Sequence, residues 1–105
     1  MAKFTEQDTE KMYDEVDALC RKFWDKEGSL HWGYYDNFSS TGFLMASNRW
    51  NEIMLQKSRI DENSVVLDVG CGNGNTDIFI AERVGCRIVG VDISGLRIEN
   101  ARKLA

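Results

Sequence analysis

Ser64-Val65-Val66-Leu67-Asp68-Val69-Gly70-Cys71-Gly72-Asn73-Gly74 is a β-branched run that ends in an acid and three glycines at alternate positions. Val65, Val66, Leu67 and Val69 are apolar on both parities of the strand, which predicts a central parallel strand covered on both faces. In an open α/β sheet the ligand crevice lies at the carboxyl ends of the strands, where glycines let the backbone come close to a ligand. Spacing narrows the ligand. A dinucleotide fingerprint needs G-x-G-x-x-G, but Gly70 and Gly72 are followed by Asn75, and Gly72 and Gly74 by Asp77, so both registers fail.

A second marker lies downstream. Arg87-Ile88-Val89-Gly90-Val91 is another short apolar run, and it stops at Asp92, 24 residues after Asp68. That interval suits a strand-helix-strand unit, and an acid at the tip of the second strand can accept the two ribose hydroxyls of an adenosine. A glycine triplet by itself could be only a tight turn. Here a strand precedes it, a helix follows and an acid closes the next strand, which is the context that gives the motif meaning.

Asp68-x-Gly70-x-Gly72-x-Gly74 resembles the first motif of class I S-adenosylmethionine-dependent methyltransferases, in which an acid stands two residues before three alternating glycines. The chemistry of that cofactor fits these residue types. Its methionine end is a zwitterion without a diphosphate, so a carboxylate can pair with the ammonium and amides at the next helix start can receive the carboxylate. The resemblance implies cofactor contacts at Asp68, Gly70, Cys71, Gly72, Gly74, Asp92 and the adjoining Ile93. Cys71 is also explained as a small side chain that fits the turn.

Taken in order, Thr5 can cap a long helix with Glu6 and Asp8 in its first turn. Met12, Val16, Leu19 and Phe23 would form its buried stripe, with Asp8, Lys11, Asp14, Glu15 and Lys22 opposite as a solvated face. The helix should stop near Gly28. Ser39-Ser40-Thr41 offers caps for a second helix with Phe43, Ala46, Trp50, Ile53, Met54 and Lys57 on the core side and Ser47, Arg49, Asn51, Glu52 and Gln56 outside. Asn73 or Asn75 can cap a helix running to Val84, Gly85 stands where a left-handed C′ residue belongs, and Ser94 can cap the last helix.

Between the first two helices, Leu30-His31-Trp32-Gly33-Tyr34-Tyr35-Asp36 concentrates aromatic rings without a helical period. Trp32 is read as a cover for the core. His31-Trp32-Gly33-Tyr34-Tyr35 is similar to the entry segment of small-molecule methyltransferases acting on glycine or sarcosine, sterols and fatty acids. That resemblance implies a lid over the cofactor with a contact from Tyr34 or Tyr35, and it names no acceptor. His31, the single histidine, has the chemistry of a general base, but a lone loop histidine is read first as a hydrogen-bonded scaffold residue.

At 105 residues and 43% hydrophobic content, the chain supports one core, with about 65% of the unfolded surface buried. Net charge is −4, from 13 basic and 17 acidic residues without a long basic cluster, so a nucleic-acid partner is not expected. Cys20, Cys71 and Cys86 form no C-x-x-C pair and are odd in number, which argues against a zinc site or disulfide framework and fits a reducing cytoplasm. No apolar run approaches the length of a membrane span, and no signal peptide is recognisable.

The expected architecture is therefore α/β: two N-terminal helices, then the first βαβα unit of a Rossmann-like parallel sheet. Residues 1–63 would form a helical cap and aromatic lid and 64–105 the cofactor-binding unit, together the N-terminal part of one methyltransferase domain. The expected function is methyl transfer from S-adenosylmethionine to a small-molecule acceptor, this chain supplying the cofactor half. The alternatives are a non-catalytic S-adenosylmethionine-binding fragment or interaction module and, disfavoured by the glycine spacing, a nicotinamide-dependent oxidoreductase. In the doubly wound order the first strand is central, so two strands leave one edge of Val65–Val69 unpaired. That apolar edge, without proline or lysine, invites pairing with a second copy or with more of a longer protein.

Overall fold

A computed structural model describes residues 3–36 and 42–105. Helix α1 (Glu6–Phe23) and helix α2 (Phe43–Ser58) precede β1 (Val65–Val69), α3 (Asn75–Val84), β2 (Arg87–Val91) and α4 (Gly95–Leu104). The α/β reading is right. β1 and β2 pair in parallel, with Val66 opposite Ile88 and Asp68 opposite Gly90. Asp68 thus stands one residue before the end of β1, and Asp92 directly follows β2.

The local signals at the helix ends act as expected where they depend on near neighbours. Thr5 and Asp8 make a reciprocal capping box, Ser94 accepts from the Arg97 amide, and Gly85 ends α3 at φ 76° while its N–H bonds the Ala81 carbonyl. Three expectations need correction. α1 ends at Phe23 and not near Gly28, because the amides of Trp24 and Asp25 both turn back to the Cys20 carbonyl. The Asp25 carboxylate then takes the amides of Glu27 and Ser29 at 3.0 Å each, which fixes the exit as a turn. The N-cap of α2 is Gly42; Ser39, Ser40 and Thr41 lie outside the described residues. Neither Asn73 nor Asn75 caps α3, whose N-cap is Gly74 with no side-chain cap.

The helix faces are also rotated from the apolar stripes. On α1, Met12, Leu19 and Phe23 are exposed while Asp17 is buried. On α2 the buried residues are Ala46, Ser47 and Asn51, whereas Trp50 and Met54 remain 45% and 38% exposed. The reason is chemical: Ser47 bonds the His31 ring and Asn51 accepts from Thr76, so the polar residues meet partners across the interface.

β1 is covered on one face only. Val66 and Asp68 lie on the side of α3, whereas Val65, Leu67 and Val69 are 72%, 65% and 77% exposed. Val89 and Val91 continue the same bare surface on β2. The expectation of a strand buried on both faces is thus not met in this chain. Among the described residues, no helix is long and apolar enough to cross a membrane.

Candidate cofactor site

The glycine loop after β1 is locked by its own backbone. Gly70 and Cys71 both donate to the Val91 carbonyl, at 2.7 and 3.1 Å, and Gly74 donates to Cys71 O at 3.0 Å. The Gly72 amide donates to Asp92 Oδ2 at 2.8 Å. These amides are therefore spent holding the loop, and Asp92 orients it. The unpaired first-turn amides of an α-helix lie next along the chain, at Asn75, Thr76 and Asp77, which line the cavity beside the loop.

Gly70 and Gly72 have φ values of 86° and 56°, which a side chain rarely adopts. A Cβ at Gly70 would meet nothing within 4 Å, and one at Gly72 only Arg97 Nη1 at 4.0 Å. Both positions open onto free space. Gly74 differs: its Cβ would lie 3.0 Å from Ala101 Cβ, so it is a packing glycine between the loop and α4.

Two cavities flank the loop and share Leu30, His31, Gly70 and Arg97. One, of about 390 Å³, is lined by Asp68, Gly70, Cys71, Gly72, Thr76 and Asp77. The other, of about 640 Å³, is lined by Tyr13, Val69, Val91, Asp92 and Ile93. The two cavities meet at Gly70, with Asp68 lining one and Asp92 the other. Of the expected contacts, Asp68, Gly70, Cys71, Gly72, Asp92 and Ile93 are thus gathered around one loop, with Gly74 behind it.

Tyr34 and Tyr35 are not. The Tyr34 ring stacks on Trp50 with centroids 6.3 Å apart, its amide bonds the Ala46 carbonyl, and neither tyrosine lines these two cavities. Trp32, expected as a core cover, is exposed and packs edge-on against Trp24. His31 lines both cavities but is held by Ser47, 3.2 Å from Nε2, and by the Trp32 carbonyl, 3.0 Å from Nδ1.

Asp77 was not anticipated. Its carboxyl hydrogen-bonds Asp68; burial, then that bond and the Asp68 charge, push its pKa up to about 7. The Asp77 carboxyl lies over Gly90, where a Cβ would strike Asp77 Oδ2 at 2.6 Å and Cys71 Sγ at 2.8 Å. Burial, followed by the charges of Asp77, Asp92 and Asp68, raises the Cys71 thiol above its ordinary value, which disfavours the thiolate. An acid in the first turn after the last glycine was the available signal for Asp77.

These features have counterparts elsewhere. Residues 2–105 match the family described as mycolic acid cyclopropane synthetase. The chain belongs to that family. The first motif and the α/β order are thus those of a class I S-adenosylmethionine-dependent methyltransferase, N-terminal part. The chain is similar to sterol 24-C-methyltransferase of Clavispora lusitaniae, 30% identical over 108 residues that cover 96% of this chain and 29% of the relative. Its fold superposes on the [4+2]-cyclase SpnF at TM-score 0.90 and 26% identity, covering 100% of this chain and 39% of that one. It also superposes on the mycolic acid cyclopropane synthase CmaA1 complexed with SAH and CTAB, at TM-score 0.86 and 23% identity, covering 98% and 36%. The chain therefore spans about 29 to 39% of the length of these proteins.

Proposed function

We propose that this chain holds S-adenosylmethionine across the Gly70–Gly72 turn and supplies the cofactor side of methyl transfer to a small-molecule acceptor. The observation that carries the reading is that Asp68 and Asp92 line two cavities that meet at Gly70, on a turn whose Gly70 and Gly72 open onto free space. The residues fit such a ligand. Asp68, with Asp77 behind it, suits the ammonium; the α3 amino terminus suits the carboxylate; Asp92, each of whose oxygens accepts one backbone amide and keeps a lone pair, suits the ribose hydroxyls.

When bound, the cofactor supplies an activated methyl on a sulfonium. Displacement at that carbon needs alignment more than proton transfer, and alignment contributes up to about 7–11 kcal/mol in favourable cases. The role derived for these residues is accordingly binding and orientation. The relatives differ in acceptor and activity, a sterol in one and a cyclisation in another; the acceptor proposed for this chain is a small molecule.

A binding module without turnover is the second reading. The exposed Val65, Leu67 and Val69 favour it, because among the described residues that apolar face of β1 is uncovered, as a surface that meets a partner is. Equilibrium dialysis with labelled S-adenosylmethionine, comparing the parent with Asp68→Asn, tests the common part of both readings. Loss of about 1.5–3 kcal/mol is expected for a bond to a charged partner; equal binding would remove Asp68 from the site. Transfer of the label to acceptors in a sterol and fatty-acid panel then separates enzyme from module.

A further inference from the structure

Arg97, in the first turn of α4, is 5% exposed and held on three sides. Its amide donates to the Ser94 hydroxyl at 3.2 Å, its guanidinium lies over the Tyr13 ring at 4.7 Å, and its Nε is 3.6 Å from Asp17 Oδ1 on α1. A buried guanidinium needs a counter-charge and acceptors for its N–H groups. Arg97 is short of both. Asp17, its ion-pair partner among the described residues, also accepts from Arg21 Nε at 2.9 Å and from Asn73 Nδ2 at 2.8 Å. One carboxylate thus serves two guanidinium groups, and among the described residues Nε and Nη2 of Arg97 have no hydrogen-bond partner.

The unmet charge lies where the two cavities join. Arg97 lines both of them with Leu30, His31 and Gly70, and among the described residues it is the one lysine or arginine on either wall. Its Nη1 is 4.0 Å from the place a Cβ on Gly72 would take, the open side of the turn. In the cofactor reading the ammonium belongs with Asp68 and the ribose with Asp92, and the sulfonium stands between those two groups in the covalent structure. On that reading Arg97 borders the reacting region. The cofactor does not supply the missing charge there: its methionine end is a zwitterion assigned to Asp68 and the α3 amides, and its sulfonium is a further cation. An anion from the other reactant meets the need, and Leu30, Val69, Val91 and Ile93 offer apolar wall to its body.

We propose that the methyl acceptor is a small carboxylic acid with an apolar body, whose carboxylate pairs with Arg97 at the junction of the two cavities. The inference rests on the reading that the glycine turn holds S-adenosylmethionine. Arg97 then determines specificity. Its planar fork suits the two oxygens of a carboxylate, and a neutral analogue leaves the buried charge unmet, which penalises the wrong acceptor. Arg97 binds the acceptor and takes no part in the bonds that form and break at the methyl.

Equilibrium dialysis with labelled benzoate and labelled benzyl alcohol, its uncharged counterpart, tests this on the chain saturated with S-adenosylhomocysteine. The parent should bind benzoate at least about 10-fold more tightly than the alcohol. In Arg97→Met that preference should disappear while S-adenosylhomocysteine affinity and the urea midpoint stay at the parent's level, because an apolar side chain replaces a poorly partnered buried charge. Arg97→Lys keeps the charge and loses the fork, so it should retain only part of the preference, and it carries the test if Arg97→Met does not fold. A parent without preference for benzoate, a full preference in either variant, or a loss confined to S-adenosylhomocysteine affinity would overturn the acidic acceptor alone. A parent that binds no S-adenosylhomocysteine would overturn the cofactor reading, and this inference with it.

Discussion

The Gly72 amide and the Asp92 carboxylate are joined at 2.8 Å, so the loop after β1 and the acid after β2 form one unit before any ligand arrives. Asp92 has two duties, and a substitution there should show both. Asp92→Ala is expected to weaken S-adenosylmethionine and S-adenosylhomocysteine alike by about 1.5–3 kcal/mol, measured by calorimetry, and to speed exchange of the Gly72 amide. Unchanged affinity with a loosened loop would leave Asp92 a structural acceptor only.

Gly72→Val should abolish binding while far-UV circular dichroism shows similar helix content. The side chain would enter the open space at φ 56°, and the left-handed conformation costs a non-glycine residue about 1–2 kcal/mol. Retained binding would make the turn purely structural.

Much of this arrangement is legible in the sequence because its signals are local. Strand, acid, alternating glycines and helix sit within one short stretch, and the Thr5, Ser94 and Gly85 caps depend on residues three or four positions away. What was not legible is long-range. Asp17 and Asn73 are 56 positions apart, and nothing in a charged helix face says that its aspartate will be buried against an asparagine. Periodicity assumes that the inward face is apolar, whereas α1 and α2 turn Asp17, Ser47 and Asn51 inward because each finds a polar partner. The bare face of β1 was misread for a related reason: an apolar run shows what a strand is suited to meet, and not whether this stretch of chain supplies the cover.

Asp77 gives the site a pH dependence whose sign is fixed. Its folded pKa, about 7, lies above the ordinary 3.8, so its contribution to stability is complete below the ordinary value and is lost as pH rises through about 7. Asp77→Asn should flatten the urea midpoint between pH 5 and 8. Affinity should move the other way: loss of the Asp77 proton leaves more negative charge for the cofactor ammonium, so S-adenosylhomocysteine should bind more tightly from pH 6 to 8. The slope is at most about tenfold per pH unit for one proton, and it should vanish in Asp77→Asn. A pH-independent parent would separate Asp77 from the site.

Gly90→Ala should lower stability by about 1–3 kcal/mol, read as a reduced urea midpoint with unchanged slope. Its Cβ would press on both Asp77 and Cys71. A parent-like midpoint would show that the carboxyl pair does not lie over β2.

The unpaired edge of β1 and the exposed Val65, Leu67 and Val69 should make the isolated chain associate. Light scattering over a range of concentrations is expected to show mass rising above 12.0 kDa. A folded monomer at all concentrations would show that the covered face suffices.

The central claim is that the loop between Asp68 and Asp92 takes S-adenosylmethionine and not a dinucleotide. Calorimetric titration of the chain with S-adenosylhomocysteine and, separately, with NAD tests it most directly. Saturable one-to-one binding of the first, weakened in Asp68→Asn and in Asp92→Ala, with no heat from the second, is the predicted result; NAD binding alone, or S-adenosylhomocysteine binding indifferent to both substitutions, would contradict it.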